Sequence, residues 1–140
     1  MQVTEFRIGN SWFAVDVLDI QEVSNSMKFF KIPQAPDYIQ GFVNLRGQVC
    51  TVVALKNFFK IHSESQESMN VIASTDYGMV AYEVDEIGDV LQVDDELLKE
   101  VPETIPDEIK NYIKNILVSE GKKISLLDIK AISQNILNKD

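Results

Sequence analysis

The side chains that could run a reaction are few in this sequence, and they lie far apart. The single histidine, His62, falls in the polar run "HSESQES" at 62–68. A histidine works as a general base only beside a partner that positions it, and a lone histidine in a polar loop reads as solvated surface. The single cysteine, Cys50, sits in "GQVCTVV". In such a β-branched run a thiol serves as a small buried apolar group rather than as a nucleophile. One cysteine and one histidine cannot complete a usual zinc site. Asp16, Asp19 and Glu22 recur at i, i+3 and i+6. On strand or irregular backbone that spacing need not converge, whereas paired catalytic carboxylates need a set separation. Asp94-Asp95-Glu96 could attract a cation, but it lacks the alternating oxygen ligands and the glycine of a calcium loop. It reads instead as a helix start, with carboxylates near the positive end of the helix dipole. The six glycines are isolated, so no glycine-rich phosphate loop occurs. Neither a catalytic centre nor a metal or cofactor site is expected, and function must rest on binding.

Composition narrows the partners. The chain has 140 residues, the usual size of one domain, and a formal net charge of −9. That charge repels phosphate backbones and anionic lipid, so a nucleic-acid partner is not expected. No apolar stretch approaches the length of about 18 residues that reads as a span, so direct membrane insertion is not expected. A lone cysteine rules out an internal disulfide and fits a reducing compartment. The opening "MQVTEFRIGN" shows no basic region followed by an apolar run, so a cytoplasmic location is the expectation.

The elements that must position any binding surface are mostly short strands. Residues 3–8 alternate apolar and polar, Gly9-Asn10 supplies a turn, and 11–17 resume, which is a hairpin signal. In "LDIQEV", Leu18, Ile20 and Val23 are expected inward, leaving Asp19, Gln21 and Glu22 outside. The prolines at 33 and 36 break the next segment, and one helical turn can begin at Pro36. A strand runs from Gly41 through Leu45, and 48–53 return. Residues 55–60 have helical spacing, and 62–68 form a polar surface loop expected to be the most mobile part of the chain. A second hairpin joins 69–74 to 78–84 through the turn at 75–78, and 87–93 form a further strand. Asp94 can cap a short helix holding Leu97 and Leu98. "VPETIP" at 101–106 reads as extended. A last hairpin spans 112–118 and 123–127, and Asp128 caps a closing helix with Ile129, Ile132, Ile136 and Leu137 on one face. Some nine short strands and few helices point to a mainly β protein, as small barrels or a sandwich.

One stretch stands out, "GFVNLRGQV" at 41–49. A lone arginine beside a glycine sits at the reversal between two apolar runs. Gly47 supplies the positive φ of a tight turn that projects Arg46. The guanidinium is a five-donor fork that can reach a partner or an acceptor within the chain. Gly41 marks either a bulge or a close backbone approach.

In this region the sequence resembles the CheW-like family, adaptors of bacterial chemosensory arrays. The resemblance rests on "IPQAPDYIQGFVNLRG" at 32–47, which is specific, and on weaker matches elsewhere. These are Phe6 to Gly9, Phe13 to Val17, Ile20 to Val23, a segment centred on Val84-Asp85-Glu86-Ile87, and Ile124 to Asp128. The resemblance implies two small five-stranded β-barrels packed on a shared core with a C-terminal helix, residues 1–140 forming one domain of two intertwined barrel subdomains. It implies a non-enzymatic scaffold without cofactors. The implied partners are the cytoplasmic tip of a chemoreceptor and the regulatory domain of a CheA-type histidine kinase, with receptor arrays linking the protein to the membrane only through those partners. Contacts to receptor or kinase are implied for Ile20, Glu22, Gly41, Asn44, Arg46 and Gly47. A non-flagellar chemosensory pathway, for pilus motility or gene regulation, and a small-molecule-binding β-barrel stand as alternatives. The chain departs from the family where Thr51 and Ala54 replace the usual proline and aspartate after the turn, which removes an expected polar contact or helix cap near Leu55.

Overall fold

The computed structural model describes residues 1–138. Eleven strands form two mixed sheets, joined by short helices. The first sheet is built from β1 (Gln2–Ile8), β2 (Ser11–Asp16), β8 (Glu86–Gln92), β9 (Leu98–Lys99), β10 (Ile113–Ser119) and β11 (Lys122–Leu127), in the order β8-β1-β2-β11-β10-β9. The second contains β3 (Ile20–Asn25), β4 (Ile39–Leu45), β5 (Gln48–Ala54), β6 (Met69–Thr75) and β7 (Gly78–Val84), in the order β3-β6-β7-β5-β4. Hairpin pairs are antiparallel, while β2–β11 and β5–β7 are parallel. The implied pair of five-stranded units therefore becomes six strands and five, the extra strand being the two-residue β9.

The chain crosses between the sheets twice. It first passes from β2 to β3 through the 3-10 turn Val17–Asp19, and then from β7 to β8 through the single residue Asp85. The largest apolar cluster lies between the sheets. Phe6, Ile8, Phe13 and Val15 from the first pack against Val53, Val71, Val80 and Tyr82 from the second. Each such side chain withdrawn from water contributes about 2 kcal/mol. The helix α3 (Ile129–Leu137) closes this core with Ile129, Ile132 and Ile136 buried. Its first turn is capped as expected, the Asp128 carboxylate accepting from the Ala131 N–H at 3.1 Å. The face is apolar except for Ser133, whose hydroxyl lies 2.7 Å from that of Tyr82. Each sheet also curls around its own smaller cluster, Val3, Ala14, Leu117 and Ile124 in the first and Cys50, Val52, Ile72 and Ala81 in the second.

Several local expectations change. Leu18 is 88% exposed and Val23 is exposed as well, and only Ile20 of that trio packs inward. Asp16 explains Leu18: its carboxylate accepts from the Leu18 N–H at 2.9 Å and folds the segment into a 3-10 turn, which ends the strand period. Asp19 and Glu22, expected outside, are half-buried because each meets a cation, Lys130 at 3.7 Å and Arg46 at 2.9 Å. The turn at Pro36 is a single reversal, the Ile39 N–H donating to the Pro36 carbonyl. Asp94 precedes the 3-10 turn Asp95–Leu97 without capping it through its side chain, and Leu98 belongs to β9. The 101–106 segment bends where the Ile105 N–H reaches the Pro102 carbonyl, and α2 (Asp107–Lys110) follows it. The helix at Leu55, α1 (Leu55–Phe58), ends sooner than its spacing suggests and has no side-chain cap from Ala54, as the missing aspartate implied. The polar loop at 62–68 is tied down through Ser63.

Candidate functional site

The β4–β5 hairpin ends in a two-residue loop, Arg46-Gly47, between the paired residues Leu45 and Gln48. Both loop residues have positive φ, 54° and 82°. That combination matches the right-handed twist of the flanking strands and gives the tightest reversal. Asn44 completes the turn, its Oδ1 accepting from the Gly47 N–H at 3.0 Å. Asn44, Arg46 and Gly47 thus form one motif, in which the asparagine and glycine shape the backbone and the arginine side chain is left to reach outward.

Arg46 reaches within the chain. Its Nη1 lies 2.9 Å from Glu22 Oε1 and its Nη2 lies 3.2 Å from Glu22 Oε2, so two nitrogens of the fork face both carboxylate oxygens. Glu22 is on β3 and Arg46 follows β4, and these are the two outer strands of the five-stranded sheet. The ion pair therefore bridges the sheet's own edges, which the curl has brought together. Matching bulges prepare both sides. The ladder slips between Ile20 and Glu22 on β3, and between Ile39 and Gly41 on β4. One extra residue flips the following side chain to the other face. Ile20 pairs with Ala73 of the shared core, whereas Glu22 pairs with Ile72 of the cluster inside the curl.

Gly41 is both a bulge and a close approach. It is buried, and a Cβ there would collide with the Phe30 carbonyl and lie 2.8 Å from the Phe29 ring. The backbone of Phe30 occupies that space because it pairs with Phe42, with two hydrogen bonds of 2.8 and 2.9 Å. Phe29 turns inward onto the cluster around Cys50, while Phe30 is 70% exposed with its ring 6.0 Å from that of Phe42. Val49, opposite Asn44, is 67% exposed. Phe30, Phe42 and Val49 are the apolar surface that reading the sequence missed. The alternation in β4 could have exposed Phe42, but nothing in "MKFFKI" said which phenylalanine would face outward. Val80 is buried, and Val43 and Ile87 pack at least partly against the clusters.

The remaining chemical candidates stay apart. Asp16, Asp19 and Glu22 each serve a different partner and do not converge. His62 is exposed and meets Glu64 at 3.5 Å. Cys50 is fully buried, and burial pushes its thiol up to about 11, with the Glu22 carboxylate adding to the rise and an Ala81 backbone bond opposing it. Such a thiol is inert near neutrality. Among the described residues, no group of three or more His, Cys, Asp or Glu side chains is placed to hold a metal ion. No helix of the described residues is long and apolar enough to cross a membrane.

The CheW-like domain family matches residues 2–136. The chain belongs to that family. CheW-like proteins are non-enzymatic scaffold proteins. Among individual relatives, a probable chemotaxis protein CheW of Rhizobium etli is 26% identical over 133 residues, covering 94% of this chain and 86% of the relative. The chemotaxis protein CheW of Thermotoga maritima is 27% identical over 140 residues, covering 99% and 91%. In fold, the scaffolding protein TtCheW of Thermoanaerobacter tengcongensis superposes with a TM-score of 0.82 at 24% identity, over 90% of this chain and 82% of that one. The CheW fold thus accounts for the two mixed sheets and the closing helix.

Proposed function

We propose that this chain is a cytoplasmic coupling scaffold in chemotaxis signalling, which holds the cytoplasmic tip of a chemoreceptor and the regulatory domain of a CheA-type histidine kinase together. Family membership across residues 2–136 carries this reading. The names of the relatives, all chemotaxis proteins, support it. In this reading residues 1–140 act as one domain of two intertwined subdomains, and the work is done by surfaces. Glu22 and Arg46 organise the edge that meets a partner. Asn44 and Gly47 set the tip's shape, Gly41 seats Phe30, and Ile20 anchors the strand that carries Glu22. Phe30, Phe42 and Val49 give the apolar contact on which the kinase domain docks. A few buried anchors with a polar rim suit an affinity near micromolar, about −8 kcal/mol, which is firm enough to assemble and weak enough to respond.

The second sheet favours scaffold over ligand barrel. Its curl is filled by Cys50, Val52, Ile72, Met79 and Ala81, with Met27, Phe29, Val43 and Leu45 packed against them, where a ligand barrel would keep an open cavity. A pull-down with the chain as bait tests the proposal. It should retain a chemoreceptor cytoplasmic fragment and a CheA-type kinase from the same organism, and Glu22→Lys should lose at least one of them with the fold intact. Wild-type bait that retains neither contradicts the reading. A kinase whose genes lie among pilus components would place the same coupling in a non-flagellar pathway.

A further inference from the structure

The geometry points to Asp85 as a latch that sets how the two sheets sit against each other. Asp85 is the one residue between β7 of one sheet and β8 of the other. It is 7% exposed, and its carboxylate gathers three parts of the chain. Its Oδ2 accepts from the Gly9 N–H of the β1–β2 turn at 2.7 Å and from the Ser63 hydroxyl of the α1–β6 loop, and it lies 3.8 Å from Arg7 Nη1. Its own N–H donates to the Arg7 carbonyl at 3.0 Å. Arg7 is held in turn by the Gly9 carbonyl at 2.7 Å and by Glu86 at 3.2 Å.

Apolar packing between the sheets is strong but non-directional, so it resists separation better than rotation. Directional bonds at the crossing point supply what packing lacks. The other crossing, Val17–Asp19, is a 3-10 turn with no buried residue, and its tip residue Leu18 is the most exposed large apolar side chain described. That crossing is tied near the surface, by the Asp16 carboxylate on the Leu18 N–H and by the Asp19–Lys130 pair at 3.7 Å, whereas the bonds of Asp85 are buried between the sheets, which is the arrangement of a hinge closed by an inner catch. Ser63 fastens its loop onto the catch, while the bonds of Asp85 to the Gly9 N–H and the Arg7 carbonyl join the crossing to the first sheet. A Cβ on Gly9 would strike the His62 carbonyl, so turn and loop fit only with glycine there, at a φ of 59°. Resting on the coupling role proposed above, the latch sets the angle at which two docked partners are held.

The test uses the full-length chain with spin labels at Val23→Cys on the second sheet and Val118→Cys on the first, both exposed, Cys50 being buried. In Asp85→Ala the distance distribution between the labels should widen at least about twofold, while Ser63→Ala should leave that distance unchanged and raise amide exchange in residues 62–66 about tenfold or more. An unchanged distribution in folded Asp85→Ala overturns the latch. Should Asp85→Ala fail to fold, the Gly9 amide of the wild type decides. Protection of about 100-fold or more supports the latch, and free exchange in that turn overturns it. Both readouts are independent of any partner. Failure of the pull-down with an intact latch therefore removes the coupling role alone.

Discussion

The β1–β2 and β4–β5 hairpins both reverse over two residues that include a glycine of positive φ, 59° at Gly9 and 82° at Gly47, yet their surroundings are opposite. At Gly9 the α1–β6 loop lies against the backbone, and the N–H is consumed by the buried Asp85 carboxylate. Around Gly47 a Cβ would meet nothing within 4 Å. The first tip is spent inside the fold. The second stands in solvent with Arg46 and the exposed Val49 beside it. The first tip is closed by contacts inside the fold, and the second is the one that the proposed docking would use.

Ion pairs of the two sheets repeat the contrast and supply the largest expected effect. Glu5 is nearly buried inside the first sheet, paired with Lys122 at 3.1 Å, and Lys122 also sits 3.7 Å above the Trp12 ring. Lys122→Ala would leave Glu5 as an uncompensated buried charge and should cost about 3 kcal/mol or more in urea denaturation. Arg46→Ala removes a side chain that is largely exposed and should cost less than about 1 kcal/mol. Equal costs would erase the distinction between the two regions.

The glycines sharpen it next. Gly9→Ala combines an unfavourable φ with a backbone collision and should cost about 2–3 kcal/mol, whereas Gly47→Ala carries only the φ penalty of about 1 kcal/mol. Paired denaturation curves measure the gap, and a Gly47 variant as damaged as the Gly9 variant would show that the outer tip is packed after all. Smaller still is a pH effect confined to the second sheet. Burial raises Cys50 to about 11, above its ordinary value, so the folded state holds the thiol proton more tightly than the unfolded chain. Its contribution is therefore complete below about pH 9 and is lost as pH rises toward 11. A Cys50→Ala variant should show a shallower decline in that window than the wild type, and an identical decline would place the cause elsewhere, for instance at Tyr82, which burial also raises.

Much of this was legible in the sequence for local reasons. Hairpins announce themselves through glycine-containing turns, and the closing helix through Asp128 and the spacing of its isoleucines. The β4–β5 turn followed from Arg46-Gly47. What escaped depends on contacts distant in sequence. Leu18 looked like a core residue until Asp16 folded its segment into a turn. Glu5 counted as a polar position in an alternating strand, but β1 is buried on both faces, so the carboxylate lies among core residues beside Lys122. The 62–68 run looked mobile from its polarity, while one of its three serines, Ser63, is bound by an aspartate 22 residues on. Arg46 was recognised as special, but its partner Glu22 lies 24 positions away on the opposite edge of a curled sheet. No pattern of spacing reveals such a curl.

In the proposed coupling role the exposed β4–β5 tip docks the kinase domain and is not needed for the fold. The most direct measurement is the affinity of Val49→Asp for the CheA-type kinase regulatory domain, read by calorimetry alongside urea denaturation of the same variant. Binding should weaken about tenfold or more with stability within about 0.5 kcal/mol of the wild type, because a surface substitution should be nearly neutral for folding. Wild-type affinity in the variant, with the kinase domain bound as tightly as before, would contradict it.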